Sequence, residues 1–175
     1  MINKEKPRLY AELLNKFPFP PTGQQKELFA LMAEFLISKE RYSALLIRGA
    51  AGTGKTTVLK AITQVLERNE VSFALLAPTG RAAKVISKKT KRYASTLHRY
   101  IYGAEKLADG SSLFFLREND DPVTMVYLVD EASMLGESDS GADLLGDFIR
   151  FAFGPEPEHE KRKVILIGDP SQLPP

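Results

Sequence analysis

Short continuous apolar runs alternate along the chain with longer stretches in which apolar residues recur at helical spacing. The runs that predict buried strands lie at 44–47, 71–77, 125–129 and 163–167. The stretches that predict amphipathic helices lie at 58–66, 82–88 and 144–153. Continuous apolar strands that alternate with helices are typical of a mostly parallel sheet covered by helices on both faces. The sequence therefore predicts an α/β fold.

The segment before the first strand predicts one more helix. Residues 17–21 include three prolines and favour a rigid, extended chain, after which Thr22 can cap a helix. One inward stripe follows at helical spacing: Gln25, Leu28, Phe29, Met32 and Phe35. We therefore predict a helix within 22–40.

The alternation of strands and helices is interrupted at about 103–121. This stretch holds an Asp109-Gly110 pair, which favours a tight turn, followed by an apolar run at 112–116. We predict a small β-hairpin inserted into the sheet fold.

A glycine-rich segment after the first strand has the spacing of a phosphate-binding loop. It contains a glycine, four residues, a second glycine, then Lys55 and Thr56. The glycines let successive backbone N–H groups surround an anion, and the following helix adds its positive end. Lys55 is expected to reach the outer phosphates and Thr56 to bind the bridging magnesium. The residues predicted to hold the nucleotide here are Gly49, Ala51, Gly52, Thr53, Gly54, Lys55, Thr56 and Thr57.

Two adjacent carboxylates, Asp130 and Glu131, end the third strand. Carboxyl ends of parallel strands meet at one edge of the sheet, so both acids are expected to face the phosphate loop. Asp130 is predicted to hold magnesium together with Thr56. Glu131 is predicted to orient and deprotonate the water that attacks the terminal phosphate.

The last strand ends in a polar turn at 168–175. This turn is expected at the same sheet edge, where Gln172 can hydrogen-bond the terminal phosphate of the nucleotide. An ordinary loop position for Gln172 is the alternative that the residues alone leave open.

The distribution of charge is more informative than the net charge of +2. Basic residues gather between Arg81 and Arg99 with few acids among them, whereas acids gather around 118–121 and 139–147. A local basic stretch suggests contact with a polyanion. A solvated helix face would give the same pattern and stays open at this point.

Length and composition are those of one soluble domain. A chain of 175 residues suits a single core, and its apolar runs are too short to span a bilayer. Cysteine is absent, which excludes disulfides and fits a cytoplasmic location. We expect no membrane association.

Six segments together resemble the RecD-like branch of superfamily 1 helicases, which moves 5′ to 3′ along single-stranded DNA. The pairing of Asp-Glu-Ala-Ser-Met at 130–134 with Gly-Asp-Pro-Ser-Gln-Leu-Pro-Pro at 168–175 is the most specific part of the resemblance. In chain order the matching segments are 22–25, 49–56, 77–83, 95–98, 130–134 and 168–175.

The resemblance implies roles for residues that are individually unremarkable. It implies that Thr79, Arg81 and His98 contact DNA and that a glutamine reads the adenine edge, with Gln25 favoured over Gln24. It also implies a RecA-like motor domain over 1–175, with ATP and Mg²⁺ as cofactors and single-stranded DNA as partner.

The resemblance further implies a catalytic set and two structural features. The catalytic residues it implies are Lys55, Asp130, Glu131 and Gln172. The insert matches the position of a subdomain that carries a strand-separating pin, but its short length leaves that role open. A second RecA-like domain, with arginines that complete the ATP site, is expected outside this chain, so these residues alone should hydrolyse ATP slowly.

Two other classes of function remain alternatives from the sequence. One is a PhoH-like phosphate-loop ATPase that acts on RNA or as a switch without unwinding. The other is a nucleotide-binding interaction module without catalysis, which Glu131 disfavours because a switch needs no positioned water. The oligomeric state stays open.

Overall fold

The computed structural model describes residues 5–135, 143–154 and 161–169. The helices are α1 (Lys6–Lys16), α2 (Gly23–Ile37), α3 (Lys55–Arg68), α4 (Gly80–Thr90), α5 (Leu97–Ile101) and α6 (Leu144–Phe153). The strands are β1 (Ser43–Arg48), β2 (Phe73–Ala77), β3 (Ala94–Thr96), β4 (Tyr102–Lys106), β5 (Ser112–Leu116), β6 (Val126–Val129) and β7 (Lys163–Gly168). None of the helices within these ranges is long and apolar enough to cross a membrane.

Five strands form one parallel sheet in the order β1-β7-β6-β2-β3. Because neighbouring strands are parallel, all their carboxyl ends meet at one edge of the sheet. The residues that directly follow β1, β7 and β6 therefore lie near one another, and those that directly follow β2 and β3 lie next along the same edge. The predicted α/β class is confirmed.

Helices cover both faces of this sheet, as predicted. On one face, buried residues of α1, α2 and α3 form a core that includes Leu9, Phe29 and Ile62. On the other face, Phe148 and Phe151 of α6 pack around the buried ring of Tyr127 on β6. Each fully buried aromatic side chain contributes about 1.5–3 kcal/mol through loss of apolar contact with water.

The prediction that the first strand is buried is wrong for one of its faces. Leu45 and Ile47 pack into the core with α2 and α3, but Leu46 is 50% exposed. Within the described sheet β1 is an edge strand, and the aromatic residues of α6 cluster with the more central strands. A continuous apolar run does not reveal which strand lies at the edge, so the sequence could not show this exposure.

The predicted insert is a two-stranded antiparallel hairpin, β4–β5, whose register pairs Tyr102 with Leu116. Its turn includes Asp109, whose carboxylate accepts the N–H of Ser111 at 2.9 Å, and Gly110 with φ 83°. Helix α1 and strand β3 were not predicted. Three residues are too few for β3 to display a strand pattern.

Candidate nucleotide-binding site

The phosphate loop links β1 to α3 in the way that its sequence predicts. Gly52 and Gly54 have φ of 79° and 90°, a left-handed conformation that side chains other than glycine rarely adopt. The N–H of Gly49 donates to the carbonyl of Gly168 at 3.1 Å, which joins the loop to the end of β7. The hydroxyl of Thr53 donates to the carbonyl of Ala50 at 2.8 Å. The loop is therefore shaped largely by backbone geometry.

A cavity of about 340 Å³ opens beside this loop at the carboxyl edge of the sheet. Its walls come from the loop, the first turn of α3, the end of α4, and the ends of β6 and β7. The lining residues are Ala51, Gly52, Gly54, Lys55, Thr56, Thr57, Lys89, Asp130, Glu131 and Asp169. The structure thus brings the predicted phosphate loop and the predicted carboxylate pair to one cavity.

Lys55 lies at the centre of the polar groups. Its ammonium donates to the carbonyls of Gly49 and Ala50, at 2.5 and 2.9 Å. It also lies 3.8 Å from a carboxylate oxygen of Asp169, a side chain that is only 3% exposed. A cation in this position faces the cavity at the start of α3, where the helix end adds positive potential.

The two acids after β6 share the cavity because the chain turns sharply between them. Glu131 has φ 54° and ψ 34°, a left-handed conformation that costs a non-glycine residue on the order of 1–3 kcal/mol. Had β6 continued, the two side chains would point to opposite faces of the sheet. The strained backbone conformation of Glu131 therefore allows both acid side chains to line the cavity.

Asp130 is the more buried acid, at 8% exposure. Burial raises the pKa of its carboxyl, and the neighbouring charge of Glu131 acts in the same direction. The N–H of Glu131, which donates to Asp130 Oδ1 at 3.0 Å, lowers that pKa, as do the charges of Lys55 and Lys89. The cavity therefore holds closely spaced acidic and basic side chains that are partly shielded from water.

Sequence patterns predicted no role for two residues that line this cavity, Asp169 and Lys89. Asp169 directly follows β7, and its N–H donates to the hydroxyl of Ser133 at 3.4 Å. Lys89 belongs to the basic stretch, but no sequence pattern indicates that this lysine reaches the nucleotide cavity while its neighbour Lys88 does not. Gln172 lies outside the described residues.

A second cavity, of about 470 Å³, lies on the other side of the phosphate loop. Gln24 and Gln25 at the start of α2 line it, together with Gly49 and Thr53 of the loop. Gln25 forms a capping box with Thr22, and its side-chain amide donates to the carbonyl of Thr53 at 3.2 Å. The start of α2 is thus fixed against the phosphate loop.

The predicted DNA contacts lie further along the same edge of the sheet. Thr79 caps α4 by accepting the N–H of Ala82 at 3.2 Å, and Arg81 is exposed in the first turn of that helix. His98 lies in α5, directly after β3, with its ring 4.6 Å from that of Tyr102 and 5.4 Å from that of Phe114. His98 therefore contacts the β4–β5 hairpin, a packing that its sequence pattern did not predict.

Comparison with known proteins assigns the chain to a family. The model of the AAA domain family matches residues 23–175. The chain belongs to the AAA domain family. Membership of this family of phosphate-loop proteins implies that the AAA domain uses a nucleotide.

Two curated relatives of this AAA domain are helicases. It is 32% identical over 157 residues to the ATP-dependent RecD2 DNA helicase of Deinococcus radiodurans, covering 89% of this chain and 19% of that protein. It is 34% identical over 115 residues to the ATP-dependent DNA helicase dda of Enterobacteria phage T4, covering 65% of this chain and 26% of that protein. The AAA domain thus spans about a fifth to a quarter of these two relatives. The resemblance to the RecD-like branch of superfamily 1 is confirmed.

The fold of the AAA domain also occurs in a solved helicase structure. The crystal structure of the Pif1 helicase from Candida albicans aligns with a TM-score of 0.53 and 19% sequence identity. The alignment covers 90% of this chain and 34% of that one. This likeness supports the phosphate-loop α/β fold.

Proposed function

We propose that this AAA domain is the first motor domain of a DNA helicase, which binds and hydrolyses ATP to move along single-stranded DNA. The observation that carries the proposal is the cavity that Lys55 of the phosphate loop lines together with Asp130 and Glu131. The RecD2 and dda relatives support the choice of a helicase among the many proteins with such a loop.

In this proposal the phosphate loop holds ATP through backbone N–H groups, and Lys55 binds the terminal phosphates. Glu131 orients a water molecule and accepts one of its protons as the water oxygen attacks the terminal phosphorus. The bond from that phosphorus to the bridging oxygen breaks, which yields ADP and phosphate. The strained backbone of Glu131, which turns its side chain toward the cavity, supports this role.

Magnesium, which phosphate-loop ATPases use, fits the oxygen ligands in this cavity. The hydroxyl of Thr56 and the carboxylate of Asp130 line it together. Among the described residues no group of three or more His, Cys, Asp or Glu side chains could hold a metal. Mg²⁺ commonly uses one or two protein ligands, with phosphate oxygens and water completing its shell. Bound there, it would neutralise charge on the phosphates.

The cavity beside Gln25 is proposed to accept the adenine base. Gln24 and Gln25 line it, and Leu28 and Val58 supply apolar surface. An apolar pocket with a few polar groups suits a flat heterocycle whose edge needs hydrogen bonds. We favour Gln25 over Gln24 because it is fixed to Thr53 of the phosphate loop and therefore preorganised.

The DNA partner is proposed to contact Thr79, Arg81 and His98. These residues follow adjacent parallel strands, so they share the edge that carries the nucleotide cavity. Contacts to phosphate and sugar position a protein on DNA without reading its sequence. A second RecA-like domain is proposed to supply the arginines that complete the ATP site, and unwinding is expected to need both domains.

The test of the nucleotide site is calorimetry with ATP or ADP in the presence of magnesium. Lys55→Ala should weaken binding about 10- to 100-fold, because hydrogen bonds to charged groups are worth about 1.5–3 kcal/mol. Lys60→Ala is the matched control, since Lys60 lies on the same helix and is exposed. Equal affinities of the wild type and folded Lys55→Ala for nucleotide would contradict the assignment.

A further inference from the structure

A groove of about 490 Å³ runs along the edge of the sheet between α4 and β3, away from the nucleotide cavity. One wall is the face of α4 that carries Lys84 and Lys88. The other wall includes Tyr93 and Thr96 of the β3 segment and Arg99 of α5. We call this cavity the α4–β3 groove, and it shares no lining residue with the nucleotide cavity.

The charge of the α4–β3 groove is positive and uncompensated by its own walls. Lys84, Lys88 and Arg99 are all exposed, and no acidic side chain is among the described residues that line the groove. Arg92, from the same basic stretch, behaves differently because it forms a salt bridge with Glu67. The groove therefore holds three exposed cations of the basic stretch that can bind an anion.

Tyr93 adds a flat apolar surface beside these charges. Its side chain is 75% exposed, more than any other exposed large hydrophobic residue in the described part of the chain. The exposed ring of Tyr93, in the same groove as these cations, suits a ligand with both a planar apolar part and negative charge. Nucleic-acid bases linked by phosphates have this combination.

The α4–β3 groove is continuous with the proposed DNA contacts. Gly80, which lines the groove, lies between Thr79 and Arg81, and Thr96 lies two residues before His98. A strand bound at the carboxyl ends of β2 and β3 can therefore extend into the groove without crossing the nucleotide cavity.

We propose that the α4–β3 groove binds single-stranded nucleic acid, with Tyr93 stacking on a base and Lys84, Lys88 and Arg99 contacting phosphates. The proposal rests on the proposed function and adds a base-stacking position to its phosphate contacts. An acidic peptide would satisfy the three cations but would leave the ring of Tyr93 without a stacking partner. The observations therefore favour nucleic acid.

The experiment measures binding of a fluorescein-labelled oligothymidylate by anisotropy over a series of salt concentrations, without nucleotide. Tyr93→Ala should weaken binding about 5- to 150-fold, since stacking on an aromatic side chain is worth about 1–3 kcal/mol per base. Its salt dependence should stay unchanged because no charge is removed. Tyr93→Phe retains the ring and should bind like the wild type.

Two neighbouring lysines provide the matched control for charge. Lys88→Ala should weaken binding. It should also make the fall of log affinity with log salt less steep by about 0.7, the value for one phosphate contact on a single strand. Lys89→Ala removes the same charge one residue away, on the wall of the nucleotide cavity, and should leave DNA affinity within about twofold.

Three outcomes would overturn the groove assignment while the proposed function stands. These outcomes are equal binding by Tyr93→Ala and the wild type, binding by Tyr93→Phe as weak as that by Tyr93→Ala, and equal effects of Lys88→Ala and Lys89→Ala, in each case with Arg81→Ala still weakening DNA binding. Equal sensitivity of polyglutamate binding to Tyr93→Ala would also overturn it. Failure of the wild type to bind the oligonucleotide would count against both proposals.

Discussion

The phosphate loop and the β4–β5 hairpin both project from the sheet domain, and the two segments are held in place in different ways. The loop takes its shape from backbone geometry, with positive φ at Gly52 and Gly54 and a backbone hydrogen bond from Gly49 to the end of β7. The hairpin stands largely in solvent, with Phe114 58% exposed and Phe115 47% exposed. Its attachment to the sheet domain depends on side chains.

The hairpin is held to the rest of the domain by residues 119–121, which follow β5. The guanidinium of Arg162, on a residue that is 4% exposed, donates to the carbonyls of Asn119 and Asp121 at 3.1 and 2.7 Å. The hydroxyls of Tyr100 and Tyr127 both donate to the carboxylate of Asp121 at 2.8 Å. This partly buried polar network connects the return of the hairpin to β6, the strand that ends at Asp130 and Glu131.

This comparison shows that the residues around the nucleotide cavity and the residues that hold the β4–β5 hairpin are separate sets in this domain. Changes at the phosphate site should alter chemistry with little effect on stability, because those side chains face a cavity. Changes at the hairpin anchor should lower stability, because they leave buried polar groups unpaired.

The largest effect is expected at Glu131, the proposed general base. Glu131→Gln in the intact protein should reduce DNA-stimulated ATP hydrolysis by about 10²–10⁴-fold, the range for loss of a positioned general base, with ATP affinity retained. Steady-state phosphate release and calorimetry measure the two quantities. Glu105→Gln, an exposed substitution on the hairpin, is the control and should hydrolyse ATP at the wild-type rate. A rate within a few-fold of wild type for Glu131→Gln would show that another group positions the water.

The next effect is expected at the anchor of the hairpin. Arg162→Met should lower the free energy of unfolding by about 2–4 kcal/mol, because several buried or partly buried carbonyls lose their donor, each at a cost of about 1–3 kcal/mol with partial relaxation. Urea denaturation measures this loss, and nucleotide affinity of the folded protein should stay near that of the wild type. The control is Arg68→Met, since Arg68 is exposed at the end of α3. Comparable loss in the two variants would refute the role of the network.

The sequence predicted the nucleotide site better than it predicted the surfaces around it, for a physical reason. A loop that surrounds phosphate needs glycines at left-handed positions and a lysine at a fixed spacing, so Gly52, Gly54 and Lys55 were recognisable without a structure. Parallel strands put Asp130 near them, although the left-handed turn at Glu131 was not foreseen.

Features that depend on side chains from distant segments were not predictable. Sequence spacing does not tell which of Lys88 and Lys89 faces the nucleotide, since both belong to one basic helix. The packing of His98 on the hairpin and the exposure of Leu46 likewise depend on which elements become neighbours in the fold. The roles of the individual site residues remain predictions.

A smaller effect is expected at the outer wall of the nucleotide cavity. Lys89→Ala should weaken ATP binding by about twofold to fivefold, because an exposed charge near the phosphates is screened by water and contributes about 1 kcal/mol or less. ADP, with one phosphate fewer, should lose less affinity than ATP. Calorimetry with Lys88→Ala as control tests this, since Lys88 faces the α4–β3 groove. Equal losses for ATP and ADP would argue against contact with the terminal phosphate.

An effect of similar size is expected at the base of the hairpin, where the hydroxyl of Tyr102 donates to the carboxylate of Asp147 on α6. Tyr102→Phe should cost about 0.5–1.5 kcal/mol of unfolding free energy, because Asp147 keeps its ion pair with Arg150. The hydrogen bond from Tyr102 lowers the pKa of Asp147, with Arg150 acting in the same direction. Burial, and then the hydrogen bond to Asp147, raises the pKa of Tyr102 to about 12.

The lowered pKa of Asp147 and the raised pKa of Tyr102 define how the stability difference between wild type and Tyr102→Phe depends on pH. The Asp147 carboxyl has a lowered pKa in the folded state, so its contribution is present above its unfolded pKa of about 3.9 and is lost as the pH falls through the folded value. The Tyr102 phenol has a raised pKa, so its contribution is present below about 10 and is lost as the pH rises toward its folded value. The stability difference between wild type and Tyr102→Phe should therefore be largest from about pH 5 to 9 and shrink on both sides. Urea denaturation across this range measures it, and a difference that grows toward acid pH would show that Tyr102 acts through packing rather than through Asp147.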